Sequence, residues 1–234
     1  MIISHKYKYI FLKTTKTAGT SIEISLSRFC GNDDIITPLT SIDEKIRQEL
    51  GIFPQNYENY TRYLDPWEYR FKDIGSLITE KKIPQISTTF YNHMSASRIK
   101  RGIGSKIWYS YFKFCFVRNP WDKAISRYYW NIKKQVKTET LDESLQRHNP
   151  NDNFEIYTMK NRIAVDYIGK YETLMQDLET ICNKLKIPWD GWMPRAKGNV
   201  RRDKRHYSEV LSPEQKDFIS QKCEKEISLF GYEF

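Results

Sequence analysis

An α/β fold with a parallel sheet covered by helices is predicted, because three β-prone apolar runs each lead directly into a segment of helical periodicity. The first run is 8–14 (KYIFLKT). It passes through Lys16-Thr17-Ala18-Gly19-Thr20-Ser21 to Ile22, Leu26 and Phe29 at helical spacing, which reads as strand, tight loop, helix. The second is 113–118 (KFCFVR). There Asn119-Pro120-Trp121-Asp122 supplies an N-cap, a proline at the first helical position and an acid at the third, and Ala124, Ile125, Tyr128 and Ile132 mark the buried stripe. The third is 166–172 (DYIGKYE), which runs into a helix with Leu174, Leu178, Ile181 and Leu185 on one face and stops before Pro188. A last helix opens with the capping box Ser212-Pro213-Glu214-Gln215 and closes at Gly231. Between the first two units, 31–112 carries breakers at Pro38, Pro54, Pro66 and Pro84, with helical pieces expected near 41–50, 65–82 and 94–101. The stretch 187–210 is irregular and basic, containing Arg195, Lys197, Arg201, Arg202, Lys204 and Arg205.

Composition narrows the class. The 234 residues form one domain, 1–234, and a chain of this length buries roughly 70–75% of its unfolded surface. Six Trp, sixteen Tyr and twelve Phe supply a core and exclude disorder for most of it. No apolar run approaches the ~20 residues that span a bilayer, and the N-terminus lacks an apolar stretch of signal-peptide length, so a soluble cytoplasmic protein without a membrane anchor is expected. Cys30, Cys115, Cys182 and Cys223 lie far apart with no zinc-ligand spacing and read as reduced thiols. The sequon at Asn59 carries no weight, and no internal repeat is present. A net charge of +9 suggests an anionic partner without choosing among nucleic acid, an acidic polymer and a phosphorylated small molecule.

Two features carry chemistry. A strand running into KTAGTS and a helix is a phosphate cradle: Gly19 permits close backbone approach, helix-terminal amides and the Thr20 and Ser21 hydroxyls donate, and Lys16 adds charge. The Walker order GxxxxGK[ST] is absent, since the lysine here precedes the glycine. The plainer reading is a solvated lysine beside a helix cap. The second feature is Arg118 at a strand end with Ser126 eight residues on, able to co-ligate another phosphate. Its plainer reading is an Arg118–Asp122 ion pair and a packed serine.

Together these segments make the chain recognisable. KTAGTS resembles the 5′-phosphosulfate loop, and FVRNPWDKAIS the 3′-phosphate element, of sulfotransferases that use 3′-phosphoadenosine 5′-phosphosulfate (PAPS). The resemblance is closer to carbohydrate 2-O-sulfotransferases and bacterial relatives than to the aryl and steroid enzymes. IGKYETLMQDLETICNKLKIP and RHYSEVLSPEQKDFISQKCEKEISLFGYEF are similar to later family segments, in family order, so that roughly 10–30, 90–135 and 163–234 are covered. The resemblance implies a P-loop-kinase-like three-layer α/β sandwich with a central parallel sheet flanked by helices. It assigns Lys16, Thr17, Ala18, Gly19, Thr20 and Ser21 to the 5′-phosphosulfate, Arg118 and Ser126 to the 3′-phosphate, and Tyr171 to the adenine. Arg201 and Arg202 match only in position, as further 3′-phosphate contacts. Thr15 stands where the family usually has proline. Residues 31–92 are expected to form the acceptor-binding insertion, in which Tyr57, Tyr60, Tyr63 and Trp67 either stack on sugar rings or simply pack.

The implied reaction moves a sulfuryl group to an acceptor hydroxyl, a saccharide being one candidate, with Lys16 stabilising the leaving phosphate. Among His5, His93, His148 and His206, the resemblance points to His93 as base, and Glu23 is the runner-up. No metal is expected, because the donor is already activated and no acidic cluster suggests Mg²⁺. A small-molecule or nucleotide kinase and a basic nucleic-acid-binding module are the alternatives; basic character fits all three readings, and motif order fits only the sulfotransferase, so no nucleic-acid partner is expected.

Overall fold

The structure, a computed structural model, describes residues 1–134, 139–196, 201 and 203–234. The first half comprises β1 (Ile2–Ser4), β2 (Tyr9–Phe11), α1 (Gly19–Ser27), β3 (Ile35–Ile36), α2 (Ser41–Gln48), β4 (Tyr60–Tyr63), α3 (Phe71–Thr79), β5 (Gln85–Thr88), α4 (Ala96–Ile103), α5 (Ser105–Ser110), β6 (Phe112–Val117) and α6 (Pro120–Lys134). There follow α7 (Leu141–Arg147), α8 (Phe154–Tyr157), β7 (Thr158–Met159), β8 (Arg162–Ile163), β9 (Tyr167–Lys170), α9 (Leu174–Leu185), α10 (Tyr207–Val210), α11 (Pro213–Lys222) and α12 (Glu224–Phe230).

The alternation of side chains along the apolar strands makes three layers. Tyr9, Phe11, Phe114 and Phe116 face one side of the sheet, where they pack with Ile22 and Leu26 of α1 and Leu178 and Ile181 of α9. Ile10, Leu12, Cys115 and Val117 face the other, against Ile99 of α4, Trp108 of α5 and Tyr157 of α8. The main sheet has the order β3-β1-β2-β6-β9. β6 runs parallel to β2 and β9, with Phe114 opposite both Phe11 and Tyr167. Gly169 is required on β9, because a Cβ there would lie 2.5 Å from the Phe116 ring. All three predicted strand-to-helix units are present, and their parallel strands deliver three loops to one edge, the place where α/β sheets build ligand crevices.

The differences from expectation are local. β1 joins β2 antiparallel through a short reversal that places Lys8 at φ 55, and β3 pairs antiparallel beyond it at the edge, so the sheet is mixed. The run at 8–14 pairs from the Lys8 carbonyl through Tyr9–Phe11 to the Leu12 amide, because Lys13 onward turns into the loop. The helix expected over 65–82 is a 3₁₀ turn at Pro66–Glu68 followed by α3. β4 and β5 pair across it. The last helix bends at Cys223, which turns Glu226 inward to accept from the Tyr157 hydroxyl at 2.7 Å and to lie 3.3 Å from Lys123 Nζ. No helix among the described residues is long and apolar enough to cross a membrane.

Helix α1 is buried along its whole length, rather than on one stripe. Its Glu23 is wholly buried and accepts from Lys13 Nζ at 2.7 Å, the Met1 amine at 2.8 Å and the Thr37 hydroxyl at 3.1 Å, with Arg47 Nη1 3.7 Å away. Burial opposes ionisation of this carboxyl, but the charges and hydrogen bonds of Lys13 and the Met1 amine together outweigh it and hold the group below the usual carboxylate range. Its contribution to stability is therefore complete above pH 4.5 and fades as the pH falls through the lowered folded value. Glu23→Ala strands buried cations and is expected to destabilise the fold by about 3–5 kcal/mol in chemical denaturation. A loss below ~1 kcal/mol would contradict this account of how α1 is anchored.

Candidate active site

A cleft of about 870 Å³ is lined by residues that follow β2, β6 and β9, among them Lys16, Gly19, Thr20 and Ser21, Arg118 and Tyr171, together with His93 and Ser126. The sequence-predicted residues of three separate segments thus share one wall.

The loop between β2 and α1 has an unusual backbone. Lys16 and Ala18, neither of them glycine, adopt φ 62 and φ 59 on either side of Thr17. Alternation of this kind turns successive amides toward one concavity suited to an anion. Gly19 serves a purpose beyond ligand approach: a Cβ there would lie 2.8 Å from Lys13 Cγ and 3.3 Å from the Thr14 carbonyl. Thr17 is turned inward, its hydroxyl 2.8 Å from that of Thr14, so only its backbone remains for the anion. Thr14 in turn donates to the Phe116 carbonyl at 2.5 Å, tying the loop to β6. The Lys16 ammonium lies 4.9 Å from the centre of the Trp130 ring.

Arg118 realises both of its sequence readings at once. It pairs with Asp122 at 2.6 Å and donates to the Ser126 hydroxyl at 3.2 Å and the Lys16 carbonyl at 3.0 Å. Its guanidinium carbon lies 3.9 Å over the Tyr171 ring, which covers one face of that aromatic. Asn119 caps α6 through bonds from the Trp121 and Asp122 amides, while its own amide donates to Glu172 at 2.7 Å. The strand ends of β6 and β9 are thereby locked together.

His93 has φ 62 and is exposed on the cleft side. Its Nδ1 lies 2.9 Å from the Lys13 carbonyl, an acceptor only, so Nδ1 carries the hydrogen and Nε2 the lone pair. Although part of the residue is open to the cleft, removal of the ring from water between the walls, and then the nearby Lys13 ammonium, push its pKa down to about 4, leaving the ring neutral at physiological pH. Glu23 is committed to the buried cluster under α1 and is absent from the cleft lining.

Arg201 also stands outside the lining; it pairs with Asp122 at 2.5 Å, one carboxylate removed from Arg118. Arg202 lies outside the described residues, as does Lys197. The basic stretch instead reaches the cleft through Arg195, with Met193 and Pro194. It is held on α1 by the Ala196 amide on Ser21 Oγ at 3.3 Å and by Ser25 on the Trp192 carbonyl at 2.6 Å. From 31–92 the cleft receives Thr40, Asp43 and Asn92, with the Thr40 hydroxyl donating to Asp43 at 2.7 Å. Tyr57, Tyr60, Tyr63 and Trp67 are not in the lining; Tyr57 and Tyr60 pack on the core and Trp67 is 73% exposed. Arg127, Trp130 and Asn131 went unread in the sequence, although their spacing from Ser126 puts them around one helical turn. Among the described residues no cluster of His, Cys, Asp and Glu is placed to hold a metal ion.

An uncharacterized protein of Archaeoglobus fulgidus is 32% identical over 108 residues, which covers 41% of this chain and 84% of that protein. A crystal structure of a sulfotransferase from Alicyclobacillus acidocaldarius superposes with a TM-score of 0.46 at 13% identity, over 97% of this chain and 96% of that one. The profile of the Sulfotransferase family matches residues 1–233. With a match that runs through every segment of the cleft wall, the chain belongs to the sulfotransferase family.

Proposed function

We propose that the chain transfers a sulfuryl group from PAPS to an acceptor hydroxyl, with a saccharide as the acceptor class suggested by its resemblance to carbohydrate 2-O-sulfotransferases. The observation that carries this reading is the convergence, in one cleft, of the 16–21 loop, the Arg118–Ser126 pair and a neutral His93. The donor set fits two separated anionic groups and an aromatic base between them: amides and hydroxyls at 16–21, the Arg118 fork with Ser126, and the Tyr171 ring. When bound, PAPS supplies the activated sulfuryl group. Lys16 neutralises the charge that builds on the oxygen it leaves. His93, through Nε2, takes the proton of the acceptor hydroxyl, and its bond to the Lys13 carbonyl fixes the ring for that purpose. Thr40, Asp43 and Asn92 form the acceptor side, which gives the 31–92 segment its place in the reaction.

Calorimetric titration with 3′-phosphoadenosine 5′-phosphate (PAP), without added metal, tests the donor. Micromolar binding is expected, weakened about tenfold to a hundredfold in Lys16→Ala and in Arg118→Ala, as the loss of a charged hydrogen-bond donor costs ~1.5–3 kcal/mol. Absence of PAP binding, with binding of Mg-ATP or an oligonucleotide instead, would overturn the reading in favour of a kinase or a nucleic-acid-binding module.

The state of His93 is tested by its ring resonances, assigned with His93→Gln. In the free protein they should titrate near pH 4. Because the folded value lies below the ordinary 6.5, the unfolded chain takes up a proton first, so this group costs stability as the pH falls from 6.5 toward 4. A midpoint at or above 6.5 would show an imidazole that is not held neutral by its surroundings.

A further inference from the structure

Thr15, the residue before Lys16, is gripped on both sides of its backbone by one distant side chain. Its amide donates to Asn153 Oδ1 at 2.7 Å, and Asn153 Nδ2 donates back to its carbonyl at 2.9 Å. The Thr15 hydroxyl also donates to Asn153 Oδ1 at 2.9 Å. Asn153 is 1% exposed and sits at the start of α8, where an asparagine ordinarily turns its side chain onto the helix amides. Here its backbone is already helical and it makes no side-chain cap. Its amide is devoted to a loop 138 residues away in sequence.

The neighbouring groups extend the grip. Arg127, the residue after Ser126 and part of the cleft wall, donates to the Thr15 hydroxyl and to Asp152 Oδ2, the latter at 2.5 Å. On the far side of Lys16 the Arg118 guanidinium holds the Lys16 carbonyl at 3.0 Å. The amide and carbonyl of residue 15 and the carbonyl of residue 16 are therefore fixed on either side of Lys16, the first of the two residues with positive φ. An alternating backbone without glycine at those positions persists only where its surroundings over-determine it.

We infer that Asn153 is a positioning residue that holds the 15–18 loop in its anion-accepting shape before any ligand arrives, with the Arg127–Asp152 pair as its latch to α6. The inference rests on the reading of this cleft as the PAPS site for its consequence in binding, and on the loop itself for its consequence in structure.

Two measurements on the full chain test it. Amide hydrogen exchange of the free protein should show faster exchange confined to residues 15–19 in Asn153→Ala, with the β6 and α9 amides unchanged. PAP titration should show Kd raised about tenfold in the same variant, since preorganisation is lost and each hydrogen bond carries a modest share. Thr158→Val serves as the control, because Thr158 donates to the Phe154 carbonyl at 2.6 Å in the same segment without touching the loop. It should lower the melting temperature and leave Kd within about twofold. Thr15→Val, which deletes only the hydroxyl contacts, should raise Kd about threefold and keeps the test open if Asn153→Ala does not fold. Unchanged loop exchange in Asn153→Ala, or in Thr15→Val if that is the variant that folds, overturns the clamp. Equal effects of Asn153→Ala and Thr158→Val on Kd reduce Asn153 to a packing residue. Failure of the unaltered protein to bind PAP refutes the donor reading instead, and the exchange result then decides the clamp by itself.

Discussion

The cleft depends on a backbone that its residues would not choose alone. Between β2 and α1 the chain must reverse and present amides to one point, and it does so with Lys16 and Ala18 at positive φ. For residues that carry a Cβ such geometry costs roughly 1–2 kcal/mol each, so neighbouring groups must hold it. Thr14 ties the loop to β6, Arg118 and Asn153 hold its carbonyls, and the Lys13 side chain fills the space that a Cβ at position 19 would need. Rigidity at the loop entry thus comes from side-chain hydrogen bonds, and the threonine at position 15 is useful there because its amide and hydroxyl can both donate.

The second constraint is charge. A wall carrying Lys16, Arg118, Arg127 and Arg195 would repel itself if its cations were held only by the fold. Carboxylates set behind the surface relieve this. Asp122 bridges Arg118 and Arg201, and Asp152 holds Arg127. These pairs are only partly shielded from water, so they orient the guanidinium groups more than they stabilise the protein. Arg118 and Arg127 are aimed from behind in this way.

Much of this was legible because it is local. The three strand-to-helix units and the N-cap at Asn119 depend on neighbours in sequence and form as their residues dictate, and KTAGTS marks where the loop lies, although its backbone is held from a distance. What the sequence concealed depends on pairing across distance. β4 and β5 meet over an intervening helix with no tight turn to announce them, and Asn153 reads as an ordinary cap until Thr15 is placed beside it. Glu23 shows the limit from the other side. An acid in the first turns of a helix suggests an exposed partner for the helix dipole, but burial of the whole of α1 turned it into the counter-ion of Lys13.

That buried carboxylate also bears on His93. The Lys13 carbonyl fixes the ring and its tautomer, while the Lys13 ammonium lowers the affinity of the imidazole for a proton. Glu23, bound to the same ammonium, acts in the opposite direction on His93 but more weakly. The ring is therefore neutral with Nε2 unprotonated, its proton affinity lowered first by burial and then by a cation whose own charge is balanced inside the protein. An anionic ligand on the 16–21 loop would shift that balance, because its negative charge favours imidazolium close to it. Lys13 meets His93 twice with opposite effect, its carbonyl bond favouring the protonated ring and its ammonium disfavouring it.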